Sequence, residues 1–318
     1  MTGLLPVGLV LALVLGMILP EPGLWLGGAR ITFALIAIIF FINGYQTHPR
    51  TLKITRRLGA GFFIAALLSF GGGAALGHLA AFLPGLDPAM VPGLLVMSVM
   101  APTLSSVIVI THESGGNTTW AALLTMGINL LGIFVIPPML SGLLAGGEVA
   151  LPAMKLFRDL VLSVLLPFCL GLGLRATWNR LPHRWVNKTP TLLVILLSYV
   201  SFSSGRASVL GSGWEVLAAV IAAVCAIHFG LLLLAALVTA LCRFAPDERK
   251  AITFLSSQKT LPMAIGVLTA LGYSGGPALL PCVLFHFCQI LVDSVIADRW
   301  RARGAAHRPA RASAVTSR

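Results

Sequence analysis

Apolar runs of about 15 to 25 residues recur along the whole chain, and this recurrence constrains the fold more than any single motif. A helix needs about 20 residues to cross the roughly 30 Å hydrocarbon core of a bilayer. Lipid cannot hydrogen-bond to backbone N–H and C=O groups, so spanning segments must be helices or a closed barrel. The runs lack the polar/apolar alternation of a barrel. Composition agrees: of 318 residues, 57% are hydrophobic and 10% are charged, against roughly 25% charged in a soluble domain. The sequence therefore predicts an all-α polytopic membrane protein with ten transmembrane helices. They fall near 4–19, 31–45, 59–82, 90–111, 119–140, 156–174, 190–205, 215–241, 251–271 and 277–297. Short connections such as Pro84 to Pro88 and Gly142 to Gly147 leave no room for a second domain.

Charge orients the bundle. One side carries Arg50, Lys53, Arg56 and Arg57, then Arg175, Arg180, Arg184 and Lys188, then Arg243, Arg249 and Lys250. The C-terminal stretch adds Arg299, Arg301, Arg303, Arg308, Arg311 and Arg318 to that side; the other holds only Arg30, Lys155, Arg158 and Arg206. Cytoplasmic loops carry the Lys/Arg excess, so both termini are expected in the cytoplasm of a cell-membrane protein, which requires an even number of spans. The net charge of +12 is then mainly an orientation signal, with a basic tail able to touch anionic lipid. Nucleic acid is not an expected partner. Trp25, Trp120, Trp178, Trp185, Trp214 and Trp300 all fall at span ends or in connections, as aromatic belts do. The first span lacks a basic leader and a clear cleavage site, and reads as retained. Cys169, Cys225, Cys242, Cys282 and Cys288 show no metal-ligand spacing. The domain reading is one transmembrane unit, 1–298, followed by a disordered basic tail, 299–318.

The span order repeats. Spans starting near 4, 90 and 119 have counterparts starting near 156, 251 and 277. Each copy holds five spans, an odd number, so the second enters the membrane from the opposite side: two inverted five-helix repeats, about 1–145 and 150–298. The fourth span of each copy is the unusual one. Span four carries Ala101-Pro102-Thr103-Leu104-Ser105-Ser106 and span nine carries Ser256-Ser257-Gln258-Lys259-Thr260-Leu261-Pro262. A proline within a helix disrupts the bond to the carbonyl four residues earlier, so Pro102 is expected to free Ser98 and Pro262 to free Gln258. Matched broken helices in spans four and nine are a pointer to a transporter site, with Pro102, Thr103, Ser105, Ser106, Ser256, Ser257, Gln258, Lys259 and Thr260 as binding candidates. On span five, Thr125 and Asn129 are four residues apart on one helical face and can complete that site.

Lys259 is the one basic residue placed deep in a span, so it must be neutral, paired or facing water. Asp293, near the cytoplasmic end of span ten, and Glu113, just beyond span four, are not expected partners. His78, His228 and His286 read as isolated helix-contact residues, and Asn43-Gly44 as a helix terminus. Asn117-Thr118-Thr119 matches a glycosylation pattern but falls on the cytoplasmic side.

Pro102 to Ser106, Gly116-Asn117, Asn129-Leu130-Leu131-Gly132, Pro137-Pro138 and Ser257 to Leu261, in this order, resemble the bile acid:sodium symporter family (solute carrier family 10), especially its SBF-like branch. The resemblance covers nearly the whole chain. It implies a panel and a core domain, with broken fourth and ninth spans crossing in the core. It also places Ser105, Ser106, Thr125, Asn129 and Gln258 at or near sodium-ligand positions, making sodium a possible coupling ion. An ungapped match anchored on Gln258 puts Phe254 where the bile acid symporters carry a glutamate. The expected function is secondary active transport of a small organic anion coupled to sodium or protons. The alternative is a membrane sensor or regulator that keeps the fold without transport. No HExxH, Asp-rich diphosphate motif or Ser/His pair suggests an enzyme.

Overall fold

The computed structural model describes residues 4–47, 55–144, 153–178, 183–273 and 276–306. Among them the regular elements are all helical. In chain order they are α1 (Leu4–Ile18), α2 (Glu21–Leu26), α3 (Ala29–Gln46), α4 (Arg56–Ala66), α5 (Gly73–Ala80), α6 (Val91–Ser98), α7 (Leu104–Glu113) and α8 (Thr118–Leu143). There follow α9 (Ala153–Leu160), α10 (Leu166–Thr177), α11 (His183–Gly211), α12 (Trp214–Leu241), α13 (Pro246–Ser257), α14 (Leu261–Ala270) and α15 (Leu279–Ala306). π-helical turns at Leu67–Gly72 and Val161–Leu165 join α4 to α5 and α9 to α10.

Five helical stretches are long and apolar enough to cross a membrane: Arg56–Ala80, Thr118–Leu143, Met154–Thr177, Trp214–Leu241 and Leu279–Arg303. Shorter apolar helices lie at Val7–Ile18, Arg30–Gln46 and Pro88–Ser98. Phe63, Leu67, Phe134, Phe229, Leu233 and Leu237 stand exposed on the long stretches. Water would punish a surface this apolar; a bilayer suits it.

Lipid supplies no hydrophobic drive between helices, so association depends on close packing. The α3–α10 contact shows this best. A Cβ on Gly44 would meet the Phe168 carbonyl oxygen at 2.0 Å, and one on Gly171 would meet that of Phe41 at 1.9 Å. Two reciprocal glycines thus let the backbones touch. α1 packs against α11 and α11 against α3, so α1, α3, α10 and α11 form one group, from which α1, α3 and α11 reach α14 and α15. Side chains cap several termini: the Thr55 hydroxyl accepts from Leu58 N (3.1 Å), and Asn117 Oδ1 accepts from Trp120 N (3.0 Å). Glu248 Oε2 accepts from Ala245 N at 2.8 Å and from Arg57 Nε at 2.9 Å, tying α13 to α4.

Two sequence expectations change here. Neither proline breaks a helix from within. Pro102 lies in the non-helical stretch between α6 and α7, and Pro262 lies in the first turn of α14, where a missing N–H costs nothing. The last helix also outruns its expected end. Arg299, Arg301 and Arg303, assigned to a disordered tail, extend α15. Arg50, Lys53, Arg180, Arg308, Arg311 and Arg318 of the orientation argument lie outside the described residues.

Candidate functional site

The stretch expected as span four is two helices, α6 and α7, and the stretch expected as span nine is two helices, α13 and α14. Their interruptions meet. Each buried backbone polar group in a break needs a partner that the helix no longer supplies, and the two breaks supply several to each other. Thr260 N donates to Ala101 O at 2.9 Å, and Thr103 Oγ1 donates to Lys259 O at 3.0 Å. Ser106 Oγ donates to Gln258 Oε1 at 2.7 Å.

Neighbouring helices complete the set. From α8, Asn129 Nδ2 donates to Pro102 O at 2.9 Å and to Thr125 O at 2.8 Å. From α15, the Gln289 amide holds Lys259 at two points. Lys259 N donates to its Oε1 at 2.7 Å, and its Nε2 donates to Lys259 O at 2.8 Å. Both the N–H and the C=O of Lys259 are thus bonded inside an apolar bundle.

Lys259 is 0% exposed and does not snorkel. Its Nζ donates to the Ser69 carbonyl at 2.5 Å and to the Ser69 hydroxyl at 3.2 Å. Ser69 lies in the π-helical turn between α4 and α5, where the regular ladder is displaced and a carbonyl can turn aside. A Cβ on Gly73 would come within 3.3 Å of Nζ and 2.1 Å of Ser98 O. That glycine makes room for the lysine and for the backbone of α6.

Asp293 corrects the sequence reading. It is also 0% exposed, and its Oδ2 accepts from Gln258 Nε2 at 2.7 Å. Its Oδ1 lies 3.1 Å from His228 Nε2, and His228 Nδ1 lies 3.3 Å from Ser257 O. His228, expected to be isolated, is part of a polar chain running His228–Asp293–Gln258–Ser106. A buried single charge costs several kcal/mol. Here a lysine and a carboxylate flank the same break.

Other predicted residues divide. Thr103 and Thr260 line a small cavity of about 30 Å³ beside the crossing, with Pro102, Asn129, Asn43 and His286. Thr125 Oγ1 and Ser256 Oγ are buried with no hydrogen-bond partner among the described residues. Ser257 spends its hydroxyl on its own helix, at Thr253 O (3.1 Å) and Phe254 O (3.2 Å). The side chain of Ser105 lies outside the described residues. Within the sodium set implied by resemblance, Ser106 and Gln258 bond to each other.

Sequence reasoning missed Ser69 and Gln289, and read Asn43 as a helix terminus and His286 as an isolated helix contact. Asn43 Oδ1 and His286 Nε2 are buried without a partner among the described residues, and both side chains line the cavity. His286 Nδ1 lies 2.8 Å from Gln289 Nε2. His286, Gln289 and Asp293 are spaced as one helical face, a signal available in the sequence. Ser69 left no such trace.

A multi-pass helical membrane protein whose interrupted helices cross at a buried lysine belongs structurally with the membrane transporters. The chain matches the SBF-like CPA transporter family over residues 4–302, and it belongs to that family. It is 32% identical over 232 residues to a probable sodium/metabolite cotransporter of Arabidopsis thaliana, BASS4, chloroplastic, covering 68% of this chain and 53% of the relative. It is 26% identical over 284 residues to the putative symporter YfeH of Escherichia coli, covering 86% and 84%. With the sodium/bile acid cotransporter 7 of Xenopus tropicalis it shares 26% identity over 216 residues, covering 65% and 63%. The chain spans about half the length of the BASS4 relatives it matches.

Proposed function

We propose that the chain is a secondary active transporter of a small organic anion, with the crossing of the two interrupted helices as its binding centre. The observation that carries this reading is Lys259, buried within a break whose backbone is bonded to the other break. A buried ammonium between unwound segments offers an anion a charge already desolvated. Asn43 and His286, with unpartnered polar atoms at the adjoining cavity, are the first candidates to contact the rest of the substrate. A cavity of about 30 Å³ is far below the roughly 300 Å³ of ordinary ligand sites. Loading therefore requires α3 and α11 to separate from α14 and α15, the motion expected of alternating access.

The architecture behind this reading is ten spans in two inverted five-helix repeats, within a transmembrane unit of 1–298 halved near 1–145 and 150–298. The packing supports it. Exchanging each span with the one five positions on converts the α3–α10 contact into the α11–α1 contact, and both exist. It also converts Asn129 on Pro102 O into Gln289 on Lys259 O, again both present. The Lys/Arg distribution puts both termini in the cytoplasm. A reporter after Arg303 should read cytoplasmic and one at Ser212 external; the reverse at either point overturns the orientation.

The coupling ion is sodium or a proton. Relatives named sodium/metabolite and sodium/bile acid cotransporters favour sodium, whereas Lys259 and the His228–Asp293 pair offer protonatable groups. The test is uptake of carboxylates and sulfonates into proteoliposomes with sodium, potassium or choline, each at two pH values. Uphill uptake driven by a sodium or proton gradient is expected. Ligand-induced stabilisation without flux would instead indicate a membrane sensor or regulator.

A further inference from the structure

At the Lys/Arg-rich end of the bundle, α12, α13 and α15 line a second, open cavity of about 500 Å³. Its volume falls in the roughly 300–1,000 Å³ range of ligand sites. Ala236, Pro246, Arg249, Lys250, Trp300 and Arg303 line it, so three cations and an indole surround one space.

The acids beside Arg249 and Lys250 leave the charge of these two residues largely uncancelled. Glu248 is engaged by Arg57, and Asp247 Oδ2 accepts from Asn117 Nδ2 at 3.2 Å while offsetting part of the Lys250 charge. Lys250 Nζ donates to the Ser114 carbonyl at 2.5 Å, a neutral acceptor. Arg249 enters no ion pair among the described residues.

The floor is apolar and fixed. Trp300 packs against Phe254 with ring centroids 5.1 Å apart, beside a small cluster of Ile110, Leu232, Phe254, Ile290 and Ala297. Ala236, at the rim, lies on α12 among Leu233, Leu237 and Leu241, which are 72%, 53% and 72% exposed. The basic mouth therefore continues onto a lipid-facing surface. A water-soluble anion has no use for that surface; an amphiphile uses both parts. A tryptophan at this level also suits the headgroup boundary.

We propose that this cavity binds an acidic phospholipid, its phosphate held by Arg249, Lys250 and Arg303 and its acyl chains lying along the exposed leucines of α12. The site is separate from the crossing and does not depend on what is transported.

The test titrates the purified full chain, in neutral detergent, with phosphatidylglycerol, phosphatidylcholine or glycerol 1-phosphate while thermal unfolding is followed. Phosphatidylglycerol is expected to raise the transition temperature saturably, and the other two are not. Arg249→Gln with Arg303→Gln should raise the half-saturating concentration about tenfold or more, whereas Arg299→Gln with Arg301→Gln should change it by less than about twofold. The second pair removes the same charge from exposed positions outside the cavity, and a cooperative transition in each variant shows that it is folded. Equal weakening by both pairs would reduce the effect to diffuse surface charge and overturn the site. So would glycerol 1-phosphate or phosphatidylcholine matching phosphatidylglycerol.

Discussion

The two interruptions at the crossing are alike in backbone and unlike in setting. Between α6 and α7, the break contains no ionisable side chain, borrows one amide from α8, and leaves Thr103 partly exposed at the cavity. Between α13 and α14, Gln258, Lys259 and Thr260 are all buried, held by α15, by the π-helical turn and by the other break. The difference assigns separate tasks. The first break borders the small cavity through Pro102 and Thr103, while the second is fixed in place by many bonds.

The contrast can be broken by removing the two equivalent amides. Gln289→Leu takes a partner from both the N–H and the C=O of Lys259, and should cost about 2–4 kcal/mol of stability. Asn129→Leu removes the side-chain donor to Pro102 O and should cost less, about 1–2 kcal/mol. Denaturation of both variants in one detergent checks this; equal losses would mean that the second break is not the better anchored. A smaller stability effect sharpens the same contrast. Asn117→Ala deletes a helix cap remote from both breaks, and should cost about 1 kcal/mol while sparing uptake. The smallest is expected at the open side. Asn43→Leu removes an oxygen that bonds nothing among the described residues, so stability should change by less than about 0.5 kcal/mol. Uptake should nevertheless fall, because Asn43 lines the cavity. Unchanged uptake would remove Asn43 from the site.

Much of this was legible in the sequence because lipid imposes long apolar runs and because broken helices need unusual residues. Pro102, Gln258 and Lys259 are found on those grounds and Asn129 by its place four residues from Thr125 on one helical face, and the structure brings them together. The depth of Asp293 was not legible. Hydropathy counts residues from a span end, whereas α15 continues to Ala306 and carries Asp293 inward against Gln258. Ser69 was hidden for another reason. Its role depends on a π-helical turn; the run Gly71-Gly72-Gly73 marks a weak point in the helix but not which carbonyl turns aside. The proline argument found the right place by the wrong route: the breaks persist because side chains satisfy them, with Pro262 beginning a helix instead of kinking one.

The central claim is that Lys259 supplies the charge on which anion transport depends, and uptake by Lys259→Met tests it most directly. The variant loses two bonds to Ser69 but also the cost of a buried ammonium, so it should insert and fold. Lys259→Arg keeps the charge but not the compact ammonium or its readiness to release a proton, and should rescue poorly. Uptake of an organic anion by wild type and both variants is measured in proteoliposomes from about pH 5.5 to about 8.5, with and without sodium, a range in which an arginine stays charged throughout. The account predicts loss of uptake in Lys259→Met under every condition, with the variant still folded. Wild-type, sodium-dependent uptake in Lys259→Met would contradict it and leave the lysine a structural residue beside an ordinary sodium site.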